Sequence, residues 1–69
     1  MKFTADYKDA RFTMRQTVVM DAATAASARR ILAGFLVSQP ERLKNLQQWE
    51  VRETETARVV FSGTTLPAN

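Results

Sequence analysis

The sequence predicts an α+β domain in which an antiparallel sheet of about four strands carries one main helix across one face. Segments with apolar residues at every second position stand on both sides of a central Ala-rich stretch with helical periodicity. The chain has 69 residues and neither cysteine nor histidine, so one domain is expected, without a disulfide or a zinc site. The predicted order is strand, strand, helix, short helix, strand, strand.

The first two strands are predicted to form an antiparallel hairpin. Residues 2–7 alternate between polar and apolar side chains, which is the period of a strand with one buried face. Residues 8–10 are predicted to turn. Residues 11–20 alternate again and contain β-branched side chains, which favour a second strand.

The main helix is predicted over residues 22–37, where alanine is frequent and apolar residues recur at helical spacing. Asp21 is the predicted N-cap, because its carboxylate can accept hydrogen bonds from the amides of the first turn. Pro40 ends this helix, since the residue before a proline avoids the α conformation. A short second helix is predicted over residues 40–48, with proline in its first turn.

Residues 49–61 have the alternation of a strand, but one continuous strand would bring Glu53 and Glu55 onto the apolar face. Burying unpaired carboxylates costs several kcal/mol, so a break near residues 53–56 and a second hairpin are predicted, with one bent strand as the alternative. The domain is predicted over 1–62, with a flexible C-terminal tail over 63–69. The predicted core consists of Phe3, Phe12, Met14, Val18, Leu32, Phe35, Leu36, Trp49, Val51, Val59 and Phe61.

The composition argues against an enzyme. Without histidine and cysteine, the commonest general base and the best nucleophile are absent, and no Gly-rich loop precedes a helix to bind phosphate. We therefore expect no catalytic, cofactor-binding or metal-binding residues. No apolar run approaches the ~20 residues of a membrane span, and the N-terminus lacks the pattern of a signal peptide. A cytoplasmic protein without a membrane partner is the expectation.

A basic sheet face is the first candidate binding surface. Ten basic and seven acidic residues give a net charge of +3, which permits an anionic partner without requiring one. The partner would be an acidic protein surface or, alternatively, a nucleic-acid backbone bound without sequence preference. An ordinary solvated sheet face is the other interpretation. The alternation predicts that this face carries Lys2, Arg11, Arg15, Arg52 and Arg58.

The outer face of the main helix is the second candidate. A solvated helix face usually carries charged residues, whereas this one is predicted to carry small residues and one arginine. Such a surface suits close packing against a protein partner or a second copy of the chain, as in a homodimer. The alternative is that alanine is present only because it favours helices. The predicted residues are Ala26, Arg30, Ala33, Gly34 and Val37.

The run from Thr17 to Arg30, a strand leading into an Asp-capped Ala-rich helix, is followed by Trp49-Glu-Val-Arg. This plan resembles the small accessory proteins of bacteriophages and mobile elements, among them anti-CRISPR and other host-takeover proteins. The resemblance covers nearly the whole chain but includes no diagnostic motif, so no functional residue is carried over. It implies a phage-encoded protein that inhibits a host defence complex by occupying one of its surfaces. The alternative remains a sequence-independent nucleic-acid-binding module.

Overall fold

The computed structural model describes residues 1–10 and 15–65 and confirms the α+β fold. All strand pairs are antiparallel, and the strands lie in the order β2-β1-β3-β4. The predicted order of elements is confirmed. Their bounds are β1 (Lys2–Asp9), β2 (Gln16–Asp21), α1 (Ala25–Val37), α2 (Pro40–Lys44), β3 (Leu46–Glu53) and β4 (Val59–Gly63).

Strand β1 lies in the middle of the sheet and is buried on both faces. Phe3, Ala5 and Tyr7 face α1 and belong to the apolar core, whereas Thr4 and Asp6 are buried on the opposite face. The turn predicted at residues 8–10 begins later than predicted, because β1 continues to Asp9. A bulge between Lys8 and Asp9 keeps this end of β1 paired with β3. The longer strand also explains why α2 stops at Lys44: from Leu46 onward the chain pairs with β1 instead of continuing as helix.

The main helix begins three residues later than predicted, and its cap is not Asp21. Thr24 is the N-cap, and its Oγ1 accepts a hydrogen bond from the Ser27 N–H at 3.1 Å. Asp21 is instead the last residue of β2, where its carboxylate lies 3.3 Å from the N-terminal ammonium group. Asp21 therefore belongs to the strand. The residues between Asp21 and Thr24 turn the chain onto the face of the sheet before the helix starts.

The core lies between α1 and one face of the sheet. Leu32 and Leu36 are fully buried against Phe3 and Val51 in one apolar cluster. Val18, Phe35 and Phe61 are partly buried and pack against this cluster, as predicted. Two further predicted core residues, Phe12 and Met14, lie outside the described residues, as do residues 11–14 of the predicted second strand.

The predicted second hairpin is confirmed, but Val59 is not part of the core. Val51 pairs with Phe61 and Arg52 pairs with Val59, so Val60 is the extra residue of a β-bulge. The bulge reverses the alternation, and Val59 lies beside Arg52 on the outer face with 49% of its surface exposed. The turn before β4 contains Ala57 with φ of 58°, a left-handed conformation that is uncommon outside glycine.

Trp49 and Gly63 form a close pair between β3 and β4. Trp49 is 6% exposed and stands directly opposite Gly63, and its indole N–H donates a hydrogen bond to the Thr65 carbonyl. A methyl group on Gly63 would lie 2.9 Å from the Trp49 ring. The absence of a side chain at Gly63 therefore gives the indole ring the room it occupies. Strand β4 also extends one residue into the segment predicted as a tail.

We predict opposite effects of alanine at the two glycines of the chain. Gly63→Ala should lower the free energy of unfolding by ~1–3 kcal/mol, because the methyl group forces the buried indole from its position. Gly34→Ala is the control: a Cβ there meets none of the residues that the structure describes within 4 Å, and alanine should stabilise the helix by ~0.5–1 kcal/mol. Urea denaturation followed by circular dichroism measures both changes. A Gly63→Ala variant with an unchanged free energy of unfolding would show that the position of Trp49 does not depend on glycine at residue 63.

Candidate partner-binding surfaces

The outer face of the sheet, the face turned away from α1, is organised around Asp6. This carboxylate lies in the central strand and is 6% exposed. It accepts a hydrogen bond from Thr17 Oγ1 at 2.7 Å and another from the guanidinium group of Arg52. Thr17 lies on β2 and Arg52 on β3, so the side chain of Asp6 connects three strands.

Glu50 extends this arrangement into a network. Its Oε1 lies 3.3 Å from Arg52 Nη1 and 3.5 Å from Arg15 Nη1. The network thus contains two arginines and the two carboxylates Asp6 and Glu50, and their charges cancel. Beside it, the hydroxyl groups of Thr4 and Thr54 are hydrogen-bonded at 2.8 Å. Much of the polar surface of the outer sheet face is therefore engaged within the chain.

The five basic residues predicted for this face have different environments. The structure brings Arg15 and Arg52 together, but each contacts a carboxylate. Arg58 lies at the second hairpin, where it is 2.7 Å from Glu53 with its own side chain 73% exposed. Lys2 is exposed at the start of β1. Arg11 lies outside the described residues, and binding by this face stays a prediction.

Two further arginines attach the helices to the sheet. The guanidinium carbon of Arg29 lies 4.3 Å from the centre of the Phe61 ring, and that of Arg42 lies 5.8 Å from the centre of the Tyr7 ring. Arg42 also donates a hydrogen bond to the Tyr7 hydroxyl. Among the described residues, the Nε atom of Arg29 is buried without a hydrogen-bond partner, while its guanidinium group gains the attraction of the Phe61 ring. Both arginines have a structural role.

The outer face of α1 is more apolar than the sequence pattern predicted. Arg30, Gly34 and Val37 are exposed there, and Ile31, which was not among the predicted residues, is 45% exposed. Val37 is 57% exposed. Ala26 is only partly exposed. We call Arg30, Ile31, Gly34 and Val37 the α1 surface.

The prediction that Ala33 lies on the outer face is wrong, because Ala33 is 4% exposed. It follows Arg29 by one helical turn, and Arg29 stacks on Phe61 of β4. This side of α1 is therefore turned toward β4, and a single methyl group is small enough to be covered there. Ile31 lies on the opposite flank of the buried face of α1 and is exposed to solvent instead.

A small pocket lies beside the start of β1. A pocket lined by Met1, Lys2, Glu53 and Glu55 has a volume of about 70 Å³, well below the roughly 300–1,000 Å³ of typical ligand sites. Within residues 1–10 and 15–65, acidic side chains form no group of three that would suit a metal ion. None of the helices in the same residues is long and apolar enough to span a membrane.

Comparisons with protein-family models, with curated proteins and with solved structures find no significant match.

We predict that the two kinds of arginine on the sheet differ in their effect on stability. Arg52→Met should lower the free energy of unfolding by ~2–3 kcal/mol, because it leaves Asp6 buried with only Thr17 as a described partner. Arg58→Met is the matched control, and it should change stability by less than ~1 kcal/mol because its ion pair is exposed. Urea denaturation of both variants is the measurement. Equal effects would contradict a structural role for the buried network.

Proposed function

We propose that this chain is a non-enzymatic protein that binds a protein partner through the α1 surface and thereby inhibits or modulates it. The observation that carries the proposal is the exposure of Ile31 and Val37 on both sides of Gly34, with Arg30 beside them. A helix face with two exposed β-branched apolar residues and a single charge departs from the polar face that a solvated helix normally shows.

Gly34 supports the same surface. Glycine inside a helix costs ~1 kcal/mol relative to alanine. No side chain or other segment of the described residues approaches the position of its missing Cβ within 4 Å, so the described fold does not explain the residue. Glycine does allow another backbone to approach the helix closely. A partner that packs across the helix at Gly34 would give the residue a role that the isolated chain lacks.

Arg30 defines the chemistry of the partner. It is exposed and has no ion-pair partner among the residues described, whereas Arg15, Arg52 and Arg58 each contact a carboxylate. A partner surface that fits would offer an apolar groove for Ile31 and Val37 and a carboxylate for Arg30. Bidentate pairing with that carboxylate would add orientation to the apolar contact.

Nucleic acid is the less favoured partner. Nucleic-acid affinity depends on basic groups that neutralise phosphates. On the outer sheet face, Arg52 is already paired with the buried Asp6 and with Glu50, so a phosphate would have to displace a carboxylate. The network therefore supports a protein partner over a nucleic-acid backbone.

The partner that the sequence resemblance suggests is a host defence complex, with this chain acting in the cytoplasm as a phage-encoded inhibitor. A small inhibitor of that class acts by covering a surface and needs no active site of its own. The absence of histidine and cysteine fits this mode of action. The assay is phage plaquing on a bacterial host that carries CRISPR immunity: expression of the chain should restore plaques if the targeted complex is the partner.

A bulky substitution at Gly34 tests whether the partner binds to the α1 surface. We predict that Gly34→Leu abolishes restoration of plaques and weakens binding to the purified defence complex by at least tenfold, because leucine prevents the close approach. Gly34→Ala serves as the control for helix propensity and should weaken binding less. Both variants should unfold no more easily than the parent in urea.

Two results would contradict the proposal. One is a Gly34→Leu variant with parental affinity for the complex. The other is binding of generic DNA or RNA that weakens steeply with salt, without binding of the complex, which would favour the nucleic-acid module.

A further inference from the structure

Among the described residues, strand β2 forms one edge of the sheet and has little of the protection that natural edge strands usually have. Proteins guard such edges with charged side chains, above all lysine, and with proline, bulges or very short strands. β2 lacks lysine, proline and a bulge, and its charged residue Asp21 stands at its end: its segment Gln16–Asp21 reads QTVVMD, and its register with β1 is regular over six residue pairs. The other edge strand, β4, is shorter and carries the bulge at Val60. The two edges of the sheet are therefore unequal, and β2 is the one suited to pair with another strand.

The hydrogen-bonding groups at this edge can be assigned. The Ala22 N–H donates to the Met1 carbonyl at 2.9 Å, so the backbone groups of Ala22 point toward β1. Because these groups alternate along a strand, Thr17, Val19 and Asp21 direct theirs away from β1. Their side chains lie on the outer sheet face, since Thr17 and Val19 pair with Asp6 and Thr4. Val19 is 63% exposed.

We propose that two copies of this chain associate by antiparallel pairing of β2 with β2, which joins two four-stranded sheets into one of eight strands. Paired residues must point to the same face, so the two-fold axis has to pass through a residue rather than between two. With the axis at Val18, Thr17 of one copy stands opposite Val19 of the other. Arg15, the residue before β2, stands opposite Asp21 where the pairing extends by one residue. Opposite charges then meet at both ends of the contact.

Charge selects this register over its neighbours. An axis at Val19 would place Asp21 opposite Thr17, and an axis at Thr17 would place Arg15 opposite Val19. Arg15 and Asp21 can give up their present partners within the chain for partners on the other copy, because their present contacts are weak. Arg15 lies 3.5 Å from Glu50 with its side chain 48% exposed, and Asp21 lies 3.3 Å from the N-terminal ammonium with its side chain 77% exposed.

In the register with the axis at Val18, the apolar cores of the two copies would meet across the β2–β2 contact. Val18 pairs with Ala5 on the face covered by α1 and is partly buried at the margin of the core. At the two-fold axis, Val18 would face its own copy in a pair without mutual hydrogen bonds, where side chains approach most closely. On the outer face, Val19 would be covered by Thr17 of the other copy. The α1 surface is not part of this contact and stays open to a partner.

Charge reversal tests the pairing and its register. The native chain should show the mass of a dimer in sedimentation velocity as concentration rises. Arg15→Asp should raise the dimer dissociation constant about tenfold or more, because two opposite-charge contacts become like-charge contacts. Asp21→Arg should do the same. The combination of Arg15→Asp with Asp21→Arg should restore the native constant, a rescue that a change in monomer stability would not produce.

Two controls separate this contact from others. Val19→Pro removes a backbone donor from the free edge while leaving the β1 ladder intact, so the variant should remain folded and become monomeric. Gly34→Leu should leave the dimer unchanged, which distinguishes this inference from the function proposed for the α1 surface. The inference is overturned if the native chain stays monomeric at the highest soluble concentration. It is equally overturned if the dimer is indifferent to both single charge reversals or is lost in Gly34→Leu.

Discussion

The carboxylate of Asp6 is the group on which the arrangement of the sheet depends. It is buried in the central strand, and a buried carboxylate is strongly destabilising unless it is paired and hydrogen-bonded. Thr17 and Arg52 satisfy it from the strands on either side. The three side chains meet only when β1, β2 and β3 are aligned in the observed register. The polar network thus selects one register on a face where apolar packing does not.

This network changes what the basic residues of the chain can do. A positive net charge suggests an anionic partner, yet most of the described arginines have partners inside the chain. Arg15, Arg52 and Arg58 contact carboxylates, while Arg29 and Arg42 stack on aromatic rings that belong to the sheet. Arg30, on the α1 surface, is left exposed. Buried ion pairs of the sheet contribute to its own stability, whereas the exposed side chains of the α1 surface make no such contribution. For this reason we propose the α1 surface as the binding site.

The order of elements could be predicted because it depends on local periodicity. Alternation revealed the strands, helical spacing revealed α1, and the cost of burying Glu53 revealed the break before β4. The errors arose where a single residue decides the outcome in three dimensions. Thr24 replaced Asp21 as the helix cap because β2 continues through Asp21. The bulge at Val60 turned Val59 outward, and composition gives no signal for it.

The candidate surfaces were harder to predict than the fold, since they depend on which residues become neighbours. Alternation placed Arg15 and Arg52 on the outer sheet face, but their pairing with Glu50 and Asp6 follows from cross-strand register. The sequence also gives no measure of how far α1 is rotated toward β4, and this rotation buries Ala33 and exposes Ile31.

A double-mutant cycle on Asp6 and Arg52 tests the central claim most directly. The free energy of unfolding would be measured by urea denaturation for the parent, Asp6→Asn, Arg52→Met and the double variant. If the buried pair organises the sheet, the double variant should be less destabilised than the sum of the single changes, with a coupling energy of at least ~1 kcal/mol. Effects that add to within ~0.5 kcal/mol would contradict the account, because they would mean that the two groups contribute independently.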